Sequence, residues 1–155
     1  MTKQDYGTPD SFITAVNLLW PICFDLAADM DNKVRMAYFT ETDNALTKDW
    51  HIISNIHQHE TPAYLWLNPP FRDFTPWAKK CREESEKGAK ILMLAISSST
   101  GWWRKYAEGH CLTLLLDERI KFIGCKQSYP KDLLLLVWGT GMHGVAHWSW
   151  KGKHS

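Results

Sequence analysis

The sequence predicts an α/β fold in which a mostly parallel sheet is flanked by helices, built as one domain from 155 residues. Three observations point there. Short apolar runs of the kind buried in a sheet alternate with segments of helical periodicity. The runs stop at acids, small residues or prolines, where strands turn into loops. No internal repeat, low-complexity block or long linker breaks the alternation.

The elements follow in order. Thr8-Pro9-Asp10 opens a helix, with Phe12, Val16, Leu19 and Trp20 at helical spacing, and Pro21 closes it. Ile22 to Leu26 reads as a buried strand that ends where Asp25-Leu26-Ala27-Ala28-Asp29 replaces bulk with small residues and acids. Two short helices are expected next, over Asn32 to Phe39 and Lys48 to Ile56. Tyr64 to Leu67 is a second buried strand, stopped by Asn68-Pro69-Pro70 because two prolines cannot continue pairing. Asp73 or Thr75 caps a helix striped with Phe74, Trp77, Ala78 and Cys81, and Gly88 ends it. A strand over Lys90 to Ile96, a short helix over Gly101 to Glu108 and a strand over Cys111 to Leu116 come next. Ile120 to Ile123 and Asp132 to Trp138 are expected to pair around the polar turn Gly124 to Lys131. From Thr140 onward the chain reads as a C-terminal arm.

Composition narrows the function classes. An apolar fraction of 45% and a charged fraction of 23% belong to a soluble globular protein. The longest apolar stretch, Leu133 to Trp138, is too short to span a bilayer, so no membrane role is expected. Met1 to Asp10 is polar and contains two acids, unlike a signal or transit peptide. Cys23, Cys81, Cys111 and Cys125 form no Cys-x-x-Cys pair, which fits a reduced, cytoplasmic protein. The net charge of +1 conceals two unlike halves. Met1 to Glu60 carry four Lys/Arg against nine Asp/Glu, and Thr61 to Ser155 carry fourteen against eight. The first half suits a cationic ligand and the second a polyanion; uneven but ordinary surface charge is the plain alternative.

In open α/β sheets, ligands bind beyond the carboxyl ends of strands, so the junctions at Asp25 to Asp29 and Asn68 to Phe71 are the candidate site. Asn68 offers a side-chain oxygen. Pro69 and Pro70 lack N–H donors and hold φ fixed, so the loop presents carbonyl acceptors on a stiff backbone. Phe71 adds a face on which an extruded base can stack. Such a set suits methylation of an exocyclic aromatic amine, whose N–H groups must be held while positive charge develops. A simple turn is the competing reading, since Asn-Pro commonly opens one.

The order Thr8-Pro9, Phe24-Asp25-Leu26-Ala27-Ala28 with Asn32, Asp49-Trp50, Trp66-Leu67-Asn68-Pro69-Pro70-Phe71, Trp77 with Lys79, and Trp102-Trp103 resembles the phage-type DNA adenine-N6 methyltransferase (Dam-like) family, from about Tyr6 to Trp138. The resemblance implies a Rossmann-like domain that uses S-adenosylmethionine as methyl donor and DNA as substrate, without a metal. It assigns catalysis to Asn68, Pro69, Pro70 and Phe71, and cofactor binding to Thr8, Pro9, Asp25, Ala27 and Asp29, with Asp49 and Asp43 toward the cofactor's ribose or adenine. Where the family usually has Tyr, this chain has Phe71. Ser97-Ser98-Ser99-Thr100 replaces a Pro-containing loop, and no Gly-x-Gly follows the first strand.

Trp102 and Trp103 beside Arg104 and Lys105 suit base stacking next to phosphate neutralisation, and Lys79 could track a DNA backbone. Core packing and a solvated helix face are the plain readings of the same residues. His57-x-His59 and His143-x-x-x-His147 have metal-ligand spacing, but methyl transfer from a sulfonium needs no metal and glycines disfavour a helix at the second pair. Methylation of cytosine N4, RNA adenine or a protein glutamine stays open on the residues alone, as does a non-catalytic DNA-binding module.

Overall fold

A computed structural model describes residues 7–29, 31–35, 37–57 and 62–152. Its elements are α1 (Asp10–Leu19), β1 (Ile22–Asp25), α2 (Trp50–His57), β2 (Tyr64–Leu67), α3 (Thr75–Glu86), β3 (Ile91–Ile96), β4 (Leu112–Leu116), β5 (Leu133–Trp138) and β6 (Gly144–Trp148). A 3-10 turn at Ala45–Thr47 and a π-helical turn at Trp103–Ala107 complete them. Six strands form one sheet in the order β1-β2-β3-β5-β4-β6.

Period-two alternation divides the core into two layers. Leu65 and Leu67 of β2 with Ile91 and Met93 of β3 pack on one face, beneath α2 and α3. Tyr64, Trp66, Leu92 and Leu94 point to the other, where Phe12 and Val16 of α1 meet them. Strands β2 and β5 are buried along their whole length, as strands covered on both faces must be.

The sheet is mixed, which corrects the mostly parallel expectation. β1, β2 and β3 run parallel, and β4 pairs parallel with β6. β5 is antiparallel to both β3 and β4. No crossover helix separates β4 from β5, so the chain turns back on itself and β5 slots between its two neighbours. All of β1 to β4 therefore end at the same edge of the sheet.

Three local expectations also give way. Asn32 to Phe39 is not a helix. Asp25 bridges to Tyr38, and Phe39 N–H donates to Asp25 O (2.9 Å), so the segment runs beside the end of β1. Arg35 helps hold it there by donating to Ile22 O (2.9 Å) and Asn17 Oδ1 (2.7 Å). Ile120 to Ile123 does not pair with β5; Ile123 instead bridges to Gly7, and the side chains of Ile120 and Phe122 are buried in the α1-side core. The segment read as an arm supplies edge strand β6, and at its end Trp148 and Trp150 pack tilted or edge-on against Phe12. The remaining elements lie within two residues of their predicted bounds, the short helix over Gly101 to Glu108 appearing as the π-helical turn.

Gly139, directly after β5, has φ +90°, and a Cβ there would lie 2.5 Å from Ala89 O. Gly124 shares the positive φ (+89°) with nothing within 4 Å. Gly139→Ala is therefore expected to cost about 3 kcal/mol, combining backbone strain with an overlap the strand cannot relieve. Gly124→Ala should cost about 1 kcal/mol from strain alone. Urea unfolding of both variants measures the difference; equal losses would show that the close approach to Ala89 is immaterial.

Candidate active site

A cavity of about 530 Å³ opens beyond the carboxyl ends of β1 and β2, within the size range of small-molecule sites. The two junctions singled out in the sequence meet there. Asp25, Ala27, Asp29, Asn68 and Pro70 all line it, and Thr8 reaches it from the start of α1.

Asn68 is placed by the strand before it. Buried β2 carries the chain to the sheet edge, and Pro69-Pro70 stops pairing there. Asn68 Nδ2 donates to Thr8 Oγ1 (3.1 Å), a contact between residues sixty positions apart in sequence. Because a threonine hydroxyl both donates and accepts, the amide keeps this partner in either end-over-end orientation. Thr8 itself is buried at 5% exposure, so the clamp sits out of bulk water.

Asp25 is 2% exposed, and its two oxygens have separate tasks. Oδ1 accepts from Ala27 N–H (3.2 Å) and Oδ2 from Val34 N–H (3.0 Å). The carboxyl thus shapes the loop that forms the cavity wall. Burial pushes its pKa up to about 6, against those two backbone bonds and the Arg35 charge, which pull it down. Asp29 acts similarly one turn on, accepting from Asp31 and Asn32 N–H (2.8 and 2.9 Å).

Other predicted residues lie elsewhere. Pro9 is outside the cavity lining and begins α1, its carbonyl accepting from Phe12 and Ile13 N–H. Pro69 is buried beside the cavity but does not line it. Phe71 turns away from the cavity, with its ring 5.4 Å from Phe74, 6.1 Å from Phe122 and 5.5 Å from Tyr129. Asp49 precedes α2 and is absent from the lining; Asp43 binds Thr40 N–H and Oγ1.

The predicted nucleic-acid residues are largely occupied within the chain. Trp103 is buried, and its indole N–H donates to Thr113 Oγ1 (3.1 Å). Trp102 is half-buried against Phe74. Arg104 pairs with Glu108 and Lys79 with Glu83, while Lys105 lies over the Tyr106 ring. Tryptophan's value to a core explains the first two, and i,i+4 pairing on a solvated helix face the charged ones.

Sequence reasoning missed Thr40, Glu41, Arg72 and Asp73, which also line the cavity. Asp25, Asp29, Glu41 and Asp73 face Arg72 alone among the charged lining groups, so the wall is acidic. Glu41 sits in a stretch without periodicity, where no local pattern points toward a site. The acidic bias of the first sixty residues is the available signal.

Ligand atoms of Asp49, His51 and Glu84 lie within 4.8 Å of one another, the one such group among the described residues. Glu84 is already engaged: His51 N–H and Nδ1 contact Oε1 at 3.0 and 2.8 Å, and Lys87 donates to Oε2 at 3.2 Å. Burial pushes the Glu84 pKa up, but these bonds and Lys80 outweigh it and hold the carboxyl at about 2. The group ties α2 to α3. His59 lies outside the described residues, and His147 lies on β6 rather than a helix, beside Asp117.

The family model described as DNA N-6-adenine-methyltransferase (Dam) matches residues 1–133. The chain belongs to this Dam family. A relative in Escherichia coli (strain K12), "Putative methyltransferase YfdM", is 37% identical over 75 residues, covering 48% of this chain and 74% of its own. No solved structure matches the chain. Family membership makes the chain a methyltransferase-type enzyme. No helix among the described residues is long and apolar enough to cross a membrane.

Two of the perturbed carboxyls, Asp25 and Glu84, predict opposite pH effects on stability. Asp25 binds its proton more tightly folded than unfolded, so its contribution falls as pH rises from about 4 to about 6. Glu84 binds its proton less tightly folded, so its contribution is lost as pH falls from about 4.5 to about 2. Urea midpoints across pH 2.5 to 7 should show Asp25→Asn removing the first slope and Glu84→Gln the second. A wild-type slope of unchanged size in either variant would contradict the assignment.

Proposed function

We propose that this chain transfers a methyl group from S-adenosylmethionine to the N6 amine of adenine in DNA, the base being flipped out of the duplex toward Asn68. The observation that carries the reading is the meeting of the Asn68-Pro69-Pro70 loop with an acid-lined cavity of nucleoside size at one sheet edge. The residues fit the group the family implies. Asp29, Glu41 and Asp73 offer negative charge to a ligand bearing a sulfonium and an ammonium, and Ala27 and Ala28 allow close approach. When bound, S-adenosylmethionine supplies an electrophilic methyl on a positively charged sulfur.

The chain's own groups do the rest. The amine lone pair of adenine is delocalised into its ring. Asn68 Oδ1 and the Pro69 carbonyl accept the two amine N–H bonds, drawing density back to nitrogen and stabilising the positive charge that grows there. Thr8 is a positioning residue that holds the Asn68 amide. The prolines keep the two acceptors from reorganising as reaction proceeds. Phe71, which packs against Tyr129 outside the cavity lining, offers its ring to the base. Asp25 acts through the cavity wall rather than by direct contact.

Asn68→Ala is expected to lower methyl transfer at least about 100-fold, since the removed acceptor matters chiefly in the transition state, with cofactor affinity nearly unchanged. Tritiated-methyl incorporation and calorimetry check the two halves; near-normal turnover would refute the role. Asp25→Ala should instead weaken S-adenosylmethionine binding by loosening residues 27–34, and unchanged calorimetric affinity would refute that. Mass spectrometry of digested product separates N6-methyladenine from methylated cytosine, RNA or glutamine. A chain with no thermal shift on adding S-adenosylmethionine would be a binding module instead.

A further inference from the structure

The segment between β4 and β5, residues 117–132, belongs neither to the cofactor cavity nor to the helices predicted to meet DNA. Its root is rigid. Ile120 and Phe122 are buried, Tyr129 N–H donates to Ile120 O (2.8 Å), and Arg119 binds both Tyr129 O (3.3 Å) and Asp132 Oδ1 (3.0 Å). Glu118 O accepts from the Trp150 indole (2.9 Å), tying the loop to the end of the chain. Its inner face is aromatic: Phe122 and Tyr129 both stand edge-on to Phe71, and to each other at 5.9 Å. Ile123 N–H donates to Gly7 O (2.9 Å), one residue before the Thr8 that holds Asn68.

The exposed acids of the loop are already paired, Asp132 with Arg119 and Asp117 with His147, which leaves three lysines facing water. Lys121, Lys126 and Lys131 are exposed, and none makes an ion pair among the described residues. On α3 and the π-helical turn, by contrast, Lys79, Arg82 and Arg104 each pair with an acid, as does Lys87 just after α3, while Lys105 lies over the Tyr106 ring. A cation already paired gains less from a phosphate than one facing only water.

We infer that the β4–β5 loop is the element that grips DNA, with Lys121, Lys126 and Lys131 neutralising backbone phosphates flanking the target base. The aromatic inner face rivets this grip to Phe71, so the phosphate contacts are in register with the loop that receives the base. A loop already ordered by its own bonds gives up little entropy on binding. This inference rests on the DNA-methylation reading and adds the surface that reading lacks.

The test measures duplex affinity by fluorescence anisotropy against sodium chloride concentration, after DNA-dependent methyl transfer has been established for the unsubstituted protein. The variant Lys121→Ala/Lys126→Ala/Lys131→Ala should bind at least about tenfold more weakly at about 0.1 M salt, where the Debye length is about 10 Å. Its log-affinity slope against log salt should flatten by about 2 to 3, near one for each phosphate that is no longer neutralised. S-adenosylmethionine affinity and urea midpoint should stay unchanged, because all three side chains are exposed and none lines the cavity. Lys→Glu at the same positions should weaken binding further. An unchanged salt slope in the alanine variant, or the whole effect falling on Lys79→Ala/Arg104→Ala, overturns the loop assignment while leaving the function standing. Absence of DNA-dependent transfer by the unsubstituted protein overturns both.

Discussion

Strand β2 is buried on both faces and is halted by two consecutive residues that cannot donate a backbone hydrogen bond. Everything proposed for this chain depends on that stop. A strand pinned by parallel neighbours cannot slip without moving Tyr64 and Trp66 into the wrong core layer, so its end is fixed in space. Pro69 and Pro70 then remove the chain's freedom to choose where the next acceptors point. The positions of the Asn68 and Pro69 oxygens are therefore set by the packing of Leu65 and Leu67, just upstream in the strand, as much as by the loop itself.

Electrostatics divides the same edge of the sheet into two regions. On the β1 side the wall is acidic, and burial pushes up the pKa of its deepest carboxyl, Asp25. Its oxygens are engaged by the Ala27 and Val34 amides, which makes it a builder of the wall. On the β4–β5 side the exposed groups include Lys121, Lys126 and Lys131, while Asp132 is paired with Arg119 and Asp117 with His147. The Asn68 loop joins the two: Asn68 and Pro70 line the cavity, and Phe71, outside its lining, packs against Phe122 and Tyr129.

The tryptophans show how burial reassigns residues that look functional in a sequence. Trp103 beside Arg104 and Lys105 has the composition of a nucleic-acid surface, yet its ring belongs to the core and its N–H to Thr113. Trp50, Trp138 and Trp150 likewise bury their rings and donate to backbone carbonyls. A large ring with one donor is most stable where both needs are met internally. Composition cannot distinguish that from stacking on a base, because both use the same face.

By itself the sequence determined the elements whose causes are local. The prolines and acids that end β1 and β2, the period-two burial of β2 and β3, and the helix from Thr75 to Glu86 all follow from neighbours a few positions away. The Asn68 loop was legible for the same reason, as were Asp25 and Ala27 at the cavity. Tertiary structure alone decided what depends on distant partners. It inserted β5 antiparallel between β3 and β4, drew the Asn32 to Phe39 segment against β1, and turned the tail into an edge strand. It also brought Thr8 to Asn68 and the β4–β5 loop to Phe71. Those choices rest on which buried surfaces and unpaired backbone groups can meet once the chain is folded, and no short window of sequence contains both sides of such a contact.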